Sequence, residues 1–413
     1  MAATLSSVLT YCTNVHPGDT LAEVKRSLER WTVPLCRILA REGWETSPFP
    51  LGLYLSASAI TELEQPGELE SFRAFLAERS FSVATLNCFP YGGFHDESVK
   101  RRVYQPSWLE PQRADYSIRA ARVLSALIPE GSAAAISTLS GTFKKWAHDP
   151  DTLRAIARAL LLVSVELDRL RAELGRDIVL SLEPEPLTSL ETTDEAVDFF
   201  KSFLFSEQAR RDLVVPRVTE EVVRRHLAVC YDTCHQAVEF EDVTDSLRRL
   251  CGGGIRVGKM QISSAIALKK PAADPKALEE LSRYAEPRYL HQTVARLSGG
   301  EQRMFEDLPE FLSLPPLEMK RVEEVRTHFH VPIDRPVLGP LGTTRDSWRE
   351  AVSEAVRRRL TQTFEVETYT FPVLPGVDAE RSESWLPEAL ARELCAARDE
   401  LAPRGGDSSP PHG

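Results

Sequence analysis

Four segments end an apolar, β-branched-leaning run on an oxygen-bearing side chain. "LSLEPEP" offers Glu183 and Glu185, "LAVCYDTCH" offers Asp232 with His235 three positions on, "KMQIS" offers Gln261, and "FEVETYTF" offers Glu367. Hard divalent cations such as Mg²⁺ and Mn²⁺ take oxygen ligands of this kind, and an imidazole beside them also suits Zn²⁺ or Co²⁺. A single acid at a strand end is ordinarily a helix N-cap or a satisfied loop residue. Donors at four successive strand ends differ, because several like charges around one opening are costly unless a cation lies between them. On spacing alone, a metal site and a set of independent caps stay open as alternatives.

Further candidates occupy equivalent positions: Asn14 and His16 after the first apolar run, Asn87 and His95 after the third, Ser140 and Lys144 after the fourth. For the asparagines, turn capping is the competing role. His328 and His330 alternate in "THFHVPI", whereas His291 in "YLHQTVAR" falls in a segment read as helical and is assigned a structural role. Two glycine-rich stretches are set aside. "LSGGEQ" imitates a nucleotide-binding signature, but no GxxxxGK[ST] phosphate loop accompanies it, and "CGGGIRVGK" precedes a strand instead of linking a strand to a helix.

The elements that must position these residues alternate along the chain. Strand candidates are "VLTYCTNV", "PLGLYLSA", "SVATLNCF", "AAAISTLS", "DIVLSLEP", "LAVCYDT", "IRVGKMQIS" and "FEVETYTF", separated by long helical patterns such as "DTLRAIARALLLVSVELDRLRAEL". Short apolar runs joined by crossover helices mark a parallel sheet. Eight of them, with no glycine-rich dinucleotide turn after the first, predict an α/β fold of the (β/α)₈ TIM-barrel type, whose catalytic groups sit at the C-terminal strand ends. One extra extended candidate, 325–333, is read as a loop or short strand over the barrel mouth. A single barrel is expected over 1–402 and a disordered Pro/Gly/Ser-rich tail over 403–413.

Composition bounds the function. The 413 residues are 42% hydrophobic and 27% charged, enough to bury a large core. A net charge of −11 argues against a surface built to neutralise phosphates, so no nucleic-acid partner is expected. Seven scattered cysteines without a CxxC pair read as reduced thiols in a cytoplasmic protein. The N-terminus predicts neither signal nor transit peptide, and the longest apolar helical run is broken by charges, so no transmembrane segment is predicted.

"YDTCHQAVEF" resembles the Asp-x-x-His strand-end motif of the xylose isomerase-like barrel superfamily, which holds sugar isomerases, epimerases and the metal-dependent apurinic endonucleases of family 2. "LSLEPEP" resembles its preceding Glu-Pro-Lys-Pro strand, with Glu185 in place of the lysine. From "LTYCTNVHPG" through "YLHQTVAR", "THFHVPID" and "ETYTFPVLP", the chain is similar to the metabolite-traffic protein EboE family. The resemblance implies that Glu183, Asp232, Gln261 and Glu367 hold a divalent metal ion (Mn²⁺, Mg²⁺, Co²⁺ or Zn²⁺). It further implies that Glu183 and Glu367 take and return a proton, and that His235 faces the substrate or a second ion. His328 and His330 fall where the endonucleases carry Asp-x-His, but the aspartate is missing, leaving a trinuclear zinc set incomplete.

The function implied is a metal-dependent isomerase or epimerase acting by proton transfer on a small polyhydroxylated or carbonyl metabolite. The setting would be the making or traffic of a secondary-metabolite precursor, alongside other proteins of a metabolite-traffic cluster. Asn14, His16, Asn87, His328 and His330 are expected to line the substrate pocket. The competing classes are a metabolite-binding carrier without turnover and an endonuclease-like phosphodiester hydrolase.

Overall fold

Each of the eight apolar runs becomes a strand, and all eight lie parallel. The computed structural model describes residues 7–378 and 382–402. In chain order the first seven strands are β1 (Val8–Tyr11), β2 (Phe49–Tyr54), β3 (Phe81–Asn87), β4 (Ala133–Leu139), β5 (Asp177–Glu183), β6 (Leu227–Asp232) and β7 (Val257–Ile262). An antiparallel insertion follows: β8 (Ile266–Lys269), β9 (Thr293–Leu297), β10 (Gln302–Phe305), β11 (Val322–Thr327), β12 (Val337–Leu338) and β13 (Leu341–Thr343). The last barrel strand is β14 (Thr363–Val366), which pairs with β7 on one side and β1 on the other.

The ring is nearly closed, with a single bridge between Cys12 and Gly52 joining β1 to β2. Gly52 has a steric reason to lack a side chain: a Cβ there would lie 2.0 Å from Glu365 Oε1 and 2.8 Å from the Tyr11 carbonyl. The glycine thus makes room inside the barrel for a carboxylate from the opposite side of the seam.

Crossover helices cover the outside. The helix Pro150–Leu174 begins where Asp149 accepts hydrogen bonds from the Asp151 and Thr152 amides, has proline at its first position, and stops at Gly175 with φ +65°. Its Ile156, Leu160, Leu161 and Leu167 recur at helical spacing and are all buried, which fixes the face turned to the sheet.

The insertion has an apolar core of its own, including Leu268, Leu281, Phe311, Val325 and Leu341. It corrects two local expectations. The segment read as a loop or short strand at 325–333 supplies β11, which pairs with both β8 and β9. His291 lies not in a helix but in the coil before β9, because the β-branched Thr293 and Val294 enter a ladder with β10 and β11. "LSGGEQ" is the β9–β10 hairpin, with Gly299 and Gly300 at φ +117° and +89°. The expected tail, 403–413, lies outside the described residues. No described helix is long and apolar enough to cross a membrane.

Candidate metal centre

Alternation along a strand sends every second side chain to the same face. In register, Asp232 of β6 stands beside Gln261 of β7, and Gln261 beside Glu365 of β14. Glu367 follows one pleat beyond Glu365, at the C-terminal end of the barrel, and Lys259 sits one pleat below Gln261. Glu183 closes β5. Four strand ends therefore direct their acids and amide to one opening.

The carboxylates of Glu183, Asp232 and Glu367 present oxygens within 4.8 Å of one another, and all three residues are buried. Asp232 does cap the short helix that follows it: Oδ1 accepts from the Cys234 and His235 amides (2.8 and 3.1 Å) and from Ser263 Oγ (2.6 Å). Among the described residues its Oδ2 has no hydrogen-bond partner, nor has Glu183 Oε2. Glu367 Oε1 accepts from the Asn14 and Asn87 side-chain amides at 2.7 and 2.9 Å. Capping and cation binding are thus not rivals at Asp232, since each uses a different oxygen.

Burial, then repulsion from Glu367 and Asp232, pushes Glu183 well above the usual carboxylate range, and burial with repulsion from Asp232 does the same to Glu367. Burial also acts on Asp232, but the neighbouring His235 and His330 and the Ser263 hydroxyl hold it below its ordinary value. Three acids this close cannot all ionise in a dry site without a compensating cation.

Three imidazoles adjoin them. His235 Nδ1 lies 3.1 Å from the Pro184 carbonyl, His330 Nδ1 2.7 Å from the Glu367 carbonyl, and His328 Nδ1 2.7 Å from Gln292 Oε1. The sense of that last amide is fixed, because Gln292 Nε2 donates to Tyr104 Oη, Glu185 Oε1 and the Pro186 carbonyl. All three Nδ1 partners only accept, so each neutral ring carries its hydrogen on Nδ1 and a lone pair on Nε2. His330 Nε2 has no partner, and the Nε2 atoms of His235 and His328 face each other at 3.1 Å.

Two opposed lone pairs call for a shared proton or a cation between them. Burial disfavours a proton on His328, pushing it well below the ordinary histidine range. Imidazoles whose Nδ1–H is held by an oxygen acceptor are poised as metal ligands. Donor groups within 4.8 Å include Asp232, His235 and His330, and also Glu185, His235 and His328. The donor set fits a divalent cation, with oxygen ligands on one side and imidazole on the other.

Gln261 is fully buried, its Oε1 accepting from Cys230 Sγ at 2.7 Å while Nε2 is unpartnered. Only a thiol bond holds the amide in this sense. Asn14, Asn87, His235, His328 and His330 line one cavity together with Glu183 and Glu367. His16 is placed elsewhere: its ring stacks on Trp31 at 4.7 Å and its Nε2 meets Tyr11 Oη at 3.1 Å. His95 Nε2 contacts the Asn14 carbonyl at 2.9 Å, Ser140 bonds to Thr188, and Lys144 pairs with Glu191 and Glu195.

Sequence reasoning missed Tyr104, Gln292 and Tyr369. Tyr104 Oη donates to Glu185 Oε1 at 2.9 Å, which with Gln292 fixes the carboxylate that replaces the motif lysine. Tyr369 stands two residues past Glu367, with its ring 4.6 Å from that of His330. Only the proximity of Tyr369 to a strand-end acid was a local signal.

No family model and no curated protein sequence matches this chain. Solved structures do. A xylose isomerase-like TIM-barrel protein from Mycobacterium smegmatis, in complex with magnesium, is 11% identical over 97% of this chain and 100% of its own, with TM-score 0.50. A xylose isomerase domain protein from Planctomyces limnophilus is 12% identical over 96% and 97%, with TM-score 0.49. The probable 3-DHS dehydratase AsbF of Bacillus anthracis, involved in petrobactin synthesis, is 12% identical over 95% and 98%, with TM-score 0.46. Eight parallel strands in a nearly closed ring make the fold a TIM barrel, similar along its whole length to the xylose isomerase-like protein of Mycobacterium smegmatis.

Proposed function

We propose that this protein is a metal-dependent isomerase or epimerase that moves a proton next to a carbonyl of a small hydroxylated metabolite. The observation that carries the reading is the buried cluster of Glu183, Asp232 and Glu367, with an unpartnered oxygen on each of the first two. Glu183, Asp232 and Glu367, with Gln261, would hold the ion. A divalent cation there offsets the clustered charge and polarises the substrate's oxygens.

The chain's own groups divide the remaining work. Asp232 is held in its charged form and is suited to bind rather than to exchange protons. Glu183 and Glu367 are pushed the other way, well above the usual carboxylate range, which favours their protonated forms. Carboxyls whose environments drive their protonation apart take different roles. Asn14 and Asn87 fix Glu367 through Oε1, leaving Oε2 outside those two bonds. Proton removal by one glutamate and return by the other is the chemistry such a pair supports.

The wider role we propose, in the making or traffic of a secondary-metabolite precursor in the cytoplasm with clustered partner proteins, is supported by the resemblance of the quoted motifs. Metal analysis of protein purified without chelator tests the central reading. At least one equivalent of a divalent ion is expected, along with solvent deuterium entering a turned-over hydroxycarbonyl compound. Less than about half an equivalent, unrestored by added Mg²⁺, Mn²⁺, Co²⁺ or Zn²⁺, would overturn it.

A further inference from the structure

Beyond its donors, the cavity changes character. Phe94, Val99 and Tyr289 are buried and form an apolar cluster separate from the barrel core. Tyr369 joins them: ring centroids are 5.1 Å apart for Phe94 and Tyr289, 5.2 Å for Phe94 and Tyr369, and 5.0 Å for Tyr289 and Tyr369. Because Tyr369 also lies 4.6 Å from His330, the apolar wall begins one ring away from the candidate ligands. It is assembled from the segment after β3, the insertion and the segment after β14.

Several of the cavity's polar groups are already committed, while Asn14 Oδ1, Glu185 Oε2 and Tyr289 Oη have no hydrogen-bond partner among the described residues. The Asn14 and Asn87 amides donate to Glu367, Tyr104 and Gln292 are bonded to Glu185, and Lys100 Nζ pairs with Asp307 at 2.7 Å. A hydroxyl pressed against Phe94 or Val99 would lose water and gain no partner, a net penalty. A ligand with two oxygens at the cation and a hydrocarbon ring behind them suffers no such loss, and it gains from burial.

We infer that the substrate is not an open-chain sugar but a compound whose metal-binding oxygens are borne on an apolar, ring-sized body. This rests on the metal-centre reading above. It is separable from it, because the cation can be measured without any organic ligand. Acetohydroxamate and benzohydroxamate share one chelating head and differ by methyl against phenyl.

Calorimetric titration of the Co²⁺- or Zn²⁺-loaded protein should give benzohydroxamate an affinity at least about tenfold higher, the return for burying a ring. That preference should fall below about threefold in Phe94→Ala. It should fall also in Val99→Thr, a near-isosteric change that keeps the volume of the wall should the larger truncation fail to fold. Equal affinities in the wild-type protein, or displacement of benzohydroxamate by sorbitol, would overturn the inference while leaving the metal centre standing. Binding of neither hydroxamate together with no uptake of cation would overturn both.

Discussion

Lys259 Nζ lies 2.5 Å from Glu365 Oε2 inside the barrel, with neither side chain exposed, and 3.2 Å from Ser137 Oγ. The pair forms a layer one pleat beneath the candidate ligands. Breaking a buried pair from one side leaves a lone charge and typically costs about 3–5 kcal/mol, whereas replacing both partners costs far less. Lys259→Met should therefore lower unfolding free energy by about that amount, and Lys259→Met with Glu365→Gln should restore most of it. Denaturant unfolding decides; a double variant as unstable as the single one would show that the pair is not what the site needs.

Asp232→Asn separates capping from ligation. Asparagine keeps the oxygen that accepts from Cys234 and His235 but loses the charge. In chelator, its stability should stay within about 1–2 kcal/mol of wild type. Its affinity for a divalent cation should fall by about a hundredfold or more. An unchanged cation titration would remove Asp232 from the ligand set.

Cation binding should release protons. Burial and repulsion from neighbouring carboxylates raise Glu183 and Glu367 well above the usual carboxylate range, whereas His330, at about 4, is already proton-free at neutral pH. Affinity should accordingly rise with pH as those carboxyls titrate, because they must ionise to bind. Calorimetry in buffers of different ionisation enthalpy should count about one proton released near pH 7, and Glu183→Gln should reduce that count. Zero release in wild type contradicts the expectation.

Glu393 offers a pH effect away from the centre. It is fully buried, accepts from the Ile333 amide (2.9 Å) and Thr368 Oγ1 (2.7 Å), and burial raises it to about 8. The folded protein then keeps a proton that the unfolded chain loses above its ordinary value. Stability is fully present at low pH and declines as pH rises through 8, by at most about 5 kcal/mol. Glu393→Gln should flatten that decline; unfolding curves at pH 6 and 9 of equal difference in both proteins would refute it.

The barrel and its acids were legible because both are local: an apolar run states a strand, and the residue that ends it sits at the opening. Glu183, Asp232 and Glu367 needed nothing else. His16 meets the same local rule yet packs on Trp31, since ring orientation was settled by a distant side chain. Tyr104 and Gln292 meet Glu185 across separations of 81 and 107 residues, which no spacing reveals. The antiparallel insertion was hidden for a related reason. Its strands are short, several alternate with charged residues, as in "VEEVRT", and only pairing between β8, β9 and β11 makes them a sheet.

Asn14 and Asn87 reach Glu367 across 353 and 280 positions of chain. Glu367 follows the strand that completes the ring, so the last acid arrives only when the two ends of the fold meet. During synthesis Glu183 and Asp232 emerge long before it and leave the cluster of acids incomplete. On the proposed reading, a cation held by all three would be a certificate of ring closure.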